Sequence, residues 1–211
     1  MMVSPQNIYE ELKSKSNNEV LLELRKFRRE ISRLKKVLEN PVIEVPTMHP
    51  SPDVQIKCIR QYINEAKRIL IERGVEYTLT QAEQKSFDFD AKLSELTQIR
   101  IRFSGLFAGS KSYIITLGES SQAVSYGVGY EFTEVHCWKI EMSKAEFLSE
   151  LEELYIGEWK SWYPSPILDG VQWEVKFTYA NGSQRQFAGS NAYPYNFDCF
   201  TKLLTIDEEV N

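Results

Sequence analysis

Apolar residues recur at alternating three- and four-residue steps twice in the first third of the chain. Val20, Leu24, Phe27, Ile31, Leu34 and Leu38 make the first series, which is the spacing of a heptad seam along a helix. It predicts a helix capped by Asn17 or Asn18 and running to about Glu39. Ile56, Ile59, Ile63, Ala66 and Leu70 make the second series. Ser51 stands there as a cap, Pro52 at the first helical position, and Gly74 as the stop after Arg73, each in the place its chemistry favours. A shorter helix is expected from about Ser4, with Pro5 in its first turn. Between the two long helices, "NPVIEVPTMHPSP" sets Pro41, Pro46, Pro50 and Pro52 in a stiff, extended connector over residues 40–52. Residues 1–75 therefore read as a helical segment, either an antiparallel helical pair or a dimerisation arm.

From about Val75 the period shortens to two. "EYTLTQ", "SFDFDAKL", "QIRIRFSG", "SYIITLG", "QAVSYGVGYEF" and "VHCWKIEM" alternate, or carry β-branched and aromatic residues between glycines. That pattern predicts antiparallel strands. "SKAEFLSELEELYIGEW" interrupts them with a helix, opened by a capping box of Ser143 and Glu146. "VQWEVKFTYA" and "SQRQFAG" flank Asn181-Gly182, a two-residue hairpin signal. A last helix is expected over about 194–205, with a frayed "DEEVN" tail. The fold class expected is α+β: an N-terminal helical segment, then over residues 76–211 a mostly antiparallel β-sheet with two packed helices.

Charge refines this division. The net −5 of the 211-residue chain splits into +4 for residues 1–75 and −9 for residues 76–211. An acidic body is a poor match for a phosphate backbone, so any nucleic-acid reading falls on Arg25, Lys26, Arg28 and Arg29 in the first long helix. No apolar run reaches the length of a membrane helix, and the first residues lack the apolar core of a secretory leader. A cytoplasmic location is expected. Cys58, Cys137 and Cys199 are odd in number and widely spaced, which predicts reduced, mostly buried thiols rather than a disulfide framework or a zinc cluster.

The remaining candidates for chemistry gather near the carboxyl end. Trp159, Trp162 and Tyr163 are followed by Pro166, Asp169-Gly170, Trp173, and then Gly189-Ser190-Asn191-Ala192-Tyr193-Pro194 with Phe197. This pattern resembles an uncharacterised bacterial domain whose C-terminal part reads W..Y..P...DG..W and then GSNAYP..F. The similarity spans about residues 143–204. It implies a bacterial or phage origin and a folded α+β unit, and it brings no catalytic residues with it. By physical reading, a helix starting at Pro194 would offer free N–H groups to an anion. No lysine or arginine lies between Arg185 and Lys202 to support one, and Ser190 and Asn191 are equally suited to capping a tight corner. Trp173 alternates with Val171, Val175, Phe177 and Tyr179 and is expected in the core. Trp159, Trp162 and Tyr163 fall at a helix end and proline loop, where exposed aromatics mark binding surfaces.

Catalytic and metal signatures are sparse. The two histidines, His49 and His136, are far apart in sequence, and His136 abuts Cys137, so on a strand their side chains oppose each other. No HExxH or CxxC is present, and no cofactor or metal is expected. The leading expectation is a non-catalytic protein–protein interaction or accessory protein, with a homodimer through residues 18–39 and 53–73 as one form of partnership. Its binding residues are Trp159, Trp162, Tyr163, Asp169, Ser190, Asn191, Tyr193 and Tyr195. Two alternatives stand beside it: nucleic-acid binding through the basic helices, and a hydrolase or transferase built on Asp169, Ser190, Asn191 and Tyr193.

Overall fold

The computed structural model describes residues 3–40, 49–105, 109–167 and 169–206. Most of the proline-rich connector, including Pro41 and Pro46, and the "DEEVN" tail lie outside the described residues. The chain divides into two compact units, residues 1–79 and 80–211.

Among its described residues the first unit holds three helices: α1 (Pro5–Lys13), α2 (Asn17–Leu38) and α3 (Pro52–Glu72). Ser16, not Asn17 or Asn18, caps α2, in a reciprocal capping box with Glu19; the serine hydroxyl reaches the third backbone N–H while the glutamate reaches back. Gly74 takes a left-handed φ of 65° just past α3, and the Val75 N–H donates to the Leu70 carbonyl, which closes the last turn. The Tyr62 hydroxyl donates to the Val3 carbonyl and the Tyr9 hydroxyl to the Glu72 carboxylate, so α1 runs parallel to α3. The Arg73 guanidinium donates to the Lys13 and Lys15 carbonyls and to Asn17 Oδ1, all at 2.9 Å, so the end of α3 meets the start of α2, and these two helices run antiparallel. Along the expected seam, Val20, Leu24, Ile31 and Leu34 are buried with Ile56, Ile59, Ala66 and Leu70 of the same chain. The heptad spacing serves this internal packing.

The second unit is a seven-stranded sheet in the order β4-β3-β2-β1-β6-β7-β5. Its strands are β1 (Leu96–Gly105), β2 (Gly109–Leu117), β3 (Gln122–Val128), β4 (Thr133–Ile140), β5 (Trp162–Tyr163), β6 (Val171–Tyr179) and β7 (Gln184–Ser190). All neighbours are antiparallel except the short β5, which runs parallel to β7. Three helices, α4 (Gln81–Asp90), α5 (Lys144–Glu153) and α6 (Phe197–Leu203), send Phe89, Phe147, Leu151, Phe197 and Phe200 into one core with Ile99, Ile101, Trp173, Val175 and Phe177 of the sheet.

The fold class is the one expected, with corrections in detail. Residues 81–90 form α4, where the Phe-Asp-Phe-Asp alternation had suggested strand. Phe89 is buried while Phe87 stands 60 % exposed, so the alternation marks no sheet face. Thr80 and Glu83 form a capping box there, and Gln, Ala, Glu and Lys are ready helix formers. Gly157 lets the 3₁₀ turn at Ile156–Glu158 approach α4, since a Cβ on it would lie 2.5 Å from Ser86 Cα. The hairpin loop has three residues, not two: Tyr179 N–H donates to the Ser183 carbonyl, Gly182 N–H to the Tyr179 carbonyl, and Gly182 has φ 78°. This is a turn closed by a glycine bulge. The last helix starts at Phe197 behind Asn196. Among the cysteines Cys58 is half-buried, and Cys137 and Cys199 are exposed, not buried.

Leu24→Asp tests the internal seam. With Leu24 only 1 % exposed, the variant should lose at least about 2–5 kcal/mol, the range for deleting a buried leucine. Thermal melting followed by circular dichroism reads this. A variant that melts like the wild type and differs only in sedimentation would show that the seam joins two chains.

Candidate functional site

Two faces of the sheet leave β6 in opposite directions, and the sequence motif lies on the inner one. Gly189 packs under the Trp173 indole; a Cβ there would lie 2.6 Å from Trp173 Nε1. That Nε1 donates to the Ala192 carbonyl at 2.8 Å. Tyr193 stacks on the same indole, its centroid 5.8 Å away and the planes 16° apart. Burial raises the Tyr193 phenol above its ordinary pKa, and Asp198 adds to the effect. Asn191 occupies the left-handed region at φ 49°, which asparagine tolerates better than most residues. Its Oδ1 accepts the Val171 N–H at 2.8 Å, and its Nδ2 donates to the Ile167 and Asp169 carbonyls at 3.4 Å. Gly170 makes room, since any Cβ on it would overlap the Asn191 amide. Asn191 thus staples Ile167, Asp169 and Val171 to the end of β7.

The other expected residues separate. Trp159 is buried, packed edge-on against Phe187 and Phe200, and its Nε1 donates to Asn196 Oδ1 at 2.9 Å. Asn196 Nδ2 in turn donates to the Leu154 carbonyl, so this buried amide ties the end of α5 to the start of α6. Sequence reasoning missed Asn196, whose only signal was a polar residue at the head of a helix. Tyr163 is buried beside Trp173. Ser190 and Tyr195 are half-buried, and Asp169 is exposed in its loop. Of the expected binding residues, Trp162 is the aromatic that turns a large surface outward, 51 % exposed.

The basic residues of α2 are similarly dispersed. Lys26 pairs with Glu23 at 2.9 Å and Arg28 lies over the Tyr77 ring at 5.0 Å, while Arg25 and Arg29 are exposed. His136 stacks on Trp138. Among the described residues no group of three His, Cys, Asp or Glu side chains is placed to hold a metal ion, and no described helix is long and apolar enough to cross a membrane.

Trp162 leads to the other face of the sheet. Because Ile99, Ile101 and Phe103 enter the core, β1 must present Arg100, Arg102 and Ser104 outward. By the same alternation β6 presents Gln172, Glu174 and Lys176, opposite core-facing Trp173, Val175 and Phe177. Register joins these residues into a row across the strands. Arg102 lies opposite Glu174, Glu174 opposite Ala188, and Ala188 opposite Trp162. Ser104, Gln172 and Gln186 flank the row, and the whole forms a groove of about 700 Å³. Its far wall is Tyr130, 79 % exposed. The turn carrying Tyr130 is closed by Gly129, with φ 82° and its N–H on the Ser110 carbonyl.

The floor is fixed by its own contacts. Arg102 Nε donates to Ser110 Oγ at 2.9 Å, and its guanidinium carbon lies 5.0 Å from the Tyr130 centroid. Glu174 Oε2 accepts from Gln186 Nε2 at 2.7 Å, and its Oε1 lies 3.6 Å from Lys176 Nζ. Polar groups held in this way are ready for a ligand without reorganisation. Among the described residues that line the groove, Glu174 is the only carboxylate.

No protein-family model, no curated protein and no solved structure matches the chain. The resemblance of residues 143–204 to an uncharacterised domain therefore carries no family assignment, and function has to be argued from the geometry.

Asn191→Ala isolates the staple. Removing a part-buried amide with one good and two long hydrogen bonds should cost roughly 1–3 kcal/mol, read from the urea midpoint. Faster hydrogen exchange at the Val171 amide should accompany it. An unchanged midpoint would show that the loop holds itself.

Proposed function

We propose that the protein is a non-catalytic binding or accessory protein that engages its partner through the open face of its sheet. One observation carries this: Tyr130, largely exposed, and Trp162, half exposed, stand on opposite sides of a groove whose polar floor is already organised. Large exposed aromatics flanking a concave surface are characteristic of recognition sites. Two of the four residues considered for a hydrolase or transferase support this reading by their occupation elsewhere: the Asn191 amide is spent on backbone groups and Tyr193 on Trp173. Within the groove, Glu174 has no second carboxylate, histidine or cysteine beside it among the described lining residues, so the usual acid–base and nucleophile pairings are not assembled among them. A homodimer through residues 18–39 and 53–73 would have to use outward side chains such as Leu22 and Ile71, which are 48 % and 72 % exposed, since the seam itself is covered.

The test compares wild type with a Tyr130→Ala, Trp162→Ala double variant, each immobilised and exposed to an extract of the native host. Both substitutions are on the surface, so the melting curve should be unchanged. What the wild type retains should be lost by the variant. Equal retention by both, or none by either, removes the reading.

A further inference from the structure

Resting on that reading, we propose that the groove's ligand is a neutral carbohydrate chain, held across the strands between Trp162 and Tyr130. The distribution of polar and apolar groups selects it. A protein interface has an apolar centre and a polar rim. Here the order is inverted: Arg102, Glu174, Gln172 and Gln186 form the centre and the two aromatic rings form the margins. A nucleic acid would bring phosphates that only accept hydrogen bonds, into a floor centred on the Glu174 carboxylate and within a segment of net charge −9. A sugar meets both demands. Each hydroxyl donates and accepts, matching a floor in which Arg102 only donates, Glu174 only accepts, and the glutamines and serines do both. The C–H face of a pyranose ring is flat and apolar and lies well on an exposed indole or phenol.

Charge and dimensions agree with this choice. Among the described lining residues the charged pair is Arg102 and Glu174, which face each other across β1 and β6. Lys176 lies 3.6 Å from the same carboxylate but does not line the groove, so the lining itself carries no net charge and favours a neutral ligand. Trp162 on β5 is three strand positions from β1, about 14 Å at ordinary strand spacing. A single ring cannot touch both aromatics, so the ligand is a chain of several sugars. Glycosidic cleavage ordinarily needs two carboxylates flanking the bond; the described residues that line the groove supply one. The chain would be held and not cut.

Native gel electrophoresis through a panel of neutral polysaccharides (β-glucan, xylan, mannan, glycogen and soluble chitin oligomers) tests the proposal, with heparin and poly(dT) as charged controls. At least one neutral polysaccharide should retard the wild type, and added salt should change this little. Trp162→Ala and Tyr130→Ala should each weaken the interaction at least about tenfold, whereas Trp162→Phe, which keeps a flat face, should retain most of it. If no neutral polysaccharide in the panel retards the protein, or if retardation survives both alanine variants, the carbohydrate assignment is wrong. Retardation by heparin or poly(dT) alone, abolished by Trp162→Ala, would overturn the carbohydrate and leave the groove a binding site. If nothing in the panel binds in a manner that depends on either aromatic, the carbohydrate falls, and the broader reading stands or falls on the extract comparison with the double variant.

Discussion

The sheet of the second unit is organised around the indole of Trp173. Gly189 lies beneath it, Tyr163, Tyr193 and Phe197 pack around it, and its N–H is held by the Ala192 carbonyl. A ring of this size, 2 % exposed, fixes which face of β6 is inside. Because side chains on a strand alternate, burying Trp173 forces Gln172 and Glu174 outward on either side of it. A one-residue slip would exchange the two sets, placing a carboxylate in the core and the indole in water. Core packing and groove are thus two consequences of one register, and the β1–β6 pairing transmits it to Arg102.

This dependence explains how far the sequence could be read. The helical period of residues 20–38 and 56–70, the capping signals at Ser143 and Gly74, and the alternation from Val171 to Tyr179 are local, and each formed the element expected. The misreadings arose where local patterns coincide. Phe87 and Phe89 alternate as a strand would, yet the capping box at Thr80 and the close approach of Gly157 decide for a helix. The cysteines were expected to be buried by composition, but a position on an edge strand, as for Cys137 on β4, overrides residue preference.

The groove was less legible for a deeper reason. It is assembled from residues of β1, β5, β6 and β7 and a turn after β3, separated in sequence by as much as the span from Arg102 to Gly189. No short motif contains it. Trp162 was visible as one of several aromatics. Tyr130, in "GVGYEF", looked like a strand residue, and Arg102, Gln172 and Glu174 are the polar half of an alternation that any half-buried strand shows. The conspicuous "GSNAYP" run drew attention because glycine, asparagine and proline are conformationally special. That same property makes them suited to a structural corner, where Asn191 at positive φ holds its neighbours.

Exposure of the two wall residues has an energetic meaning. Burying an aromatic side chain is worth about 1.5–3 kcal/mol relative to leaving it in water, and the fold gains little of this from Tyr130 at 79 % exposure or Trp162 at 51 %. A scattered exposed hydrophobe needs no explanation. Two of the largest side chains in the chain, on opposite sides of one concavity, are a different arrangement. The cation–π contact with Arg102 stabilises Tyr130 only partly, since an exposed pair contributes about 0.5–1 kcal/mol. Most of Tyr130 and half of Trp162 are left for a ligand to cover, and the rigid floor between them, set by the register of Trp173, determines what shape and polarity that ligand must have.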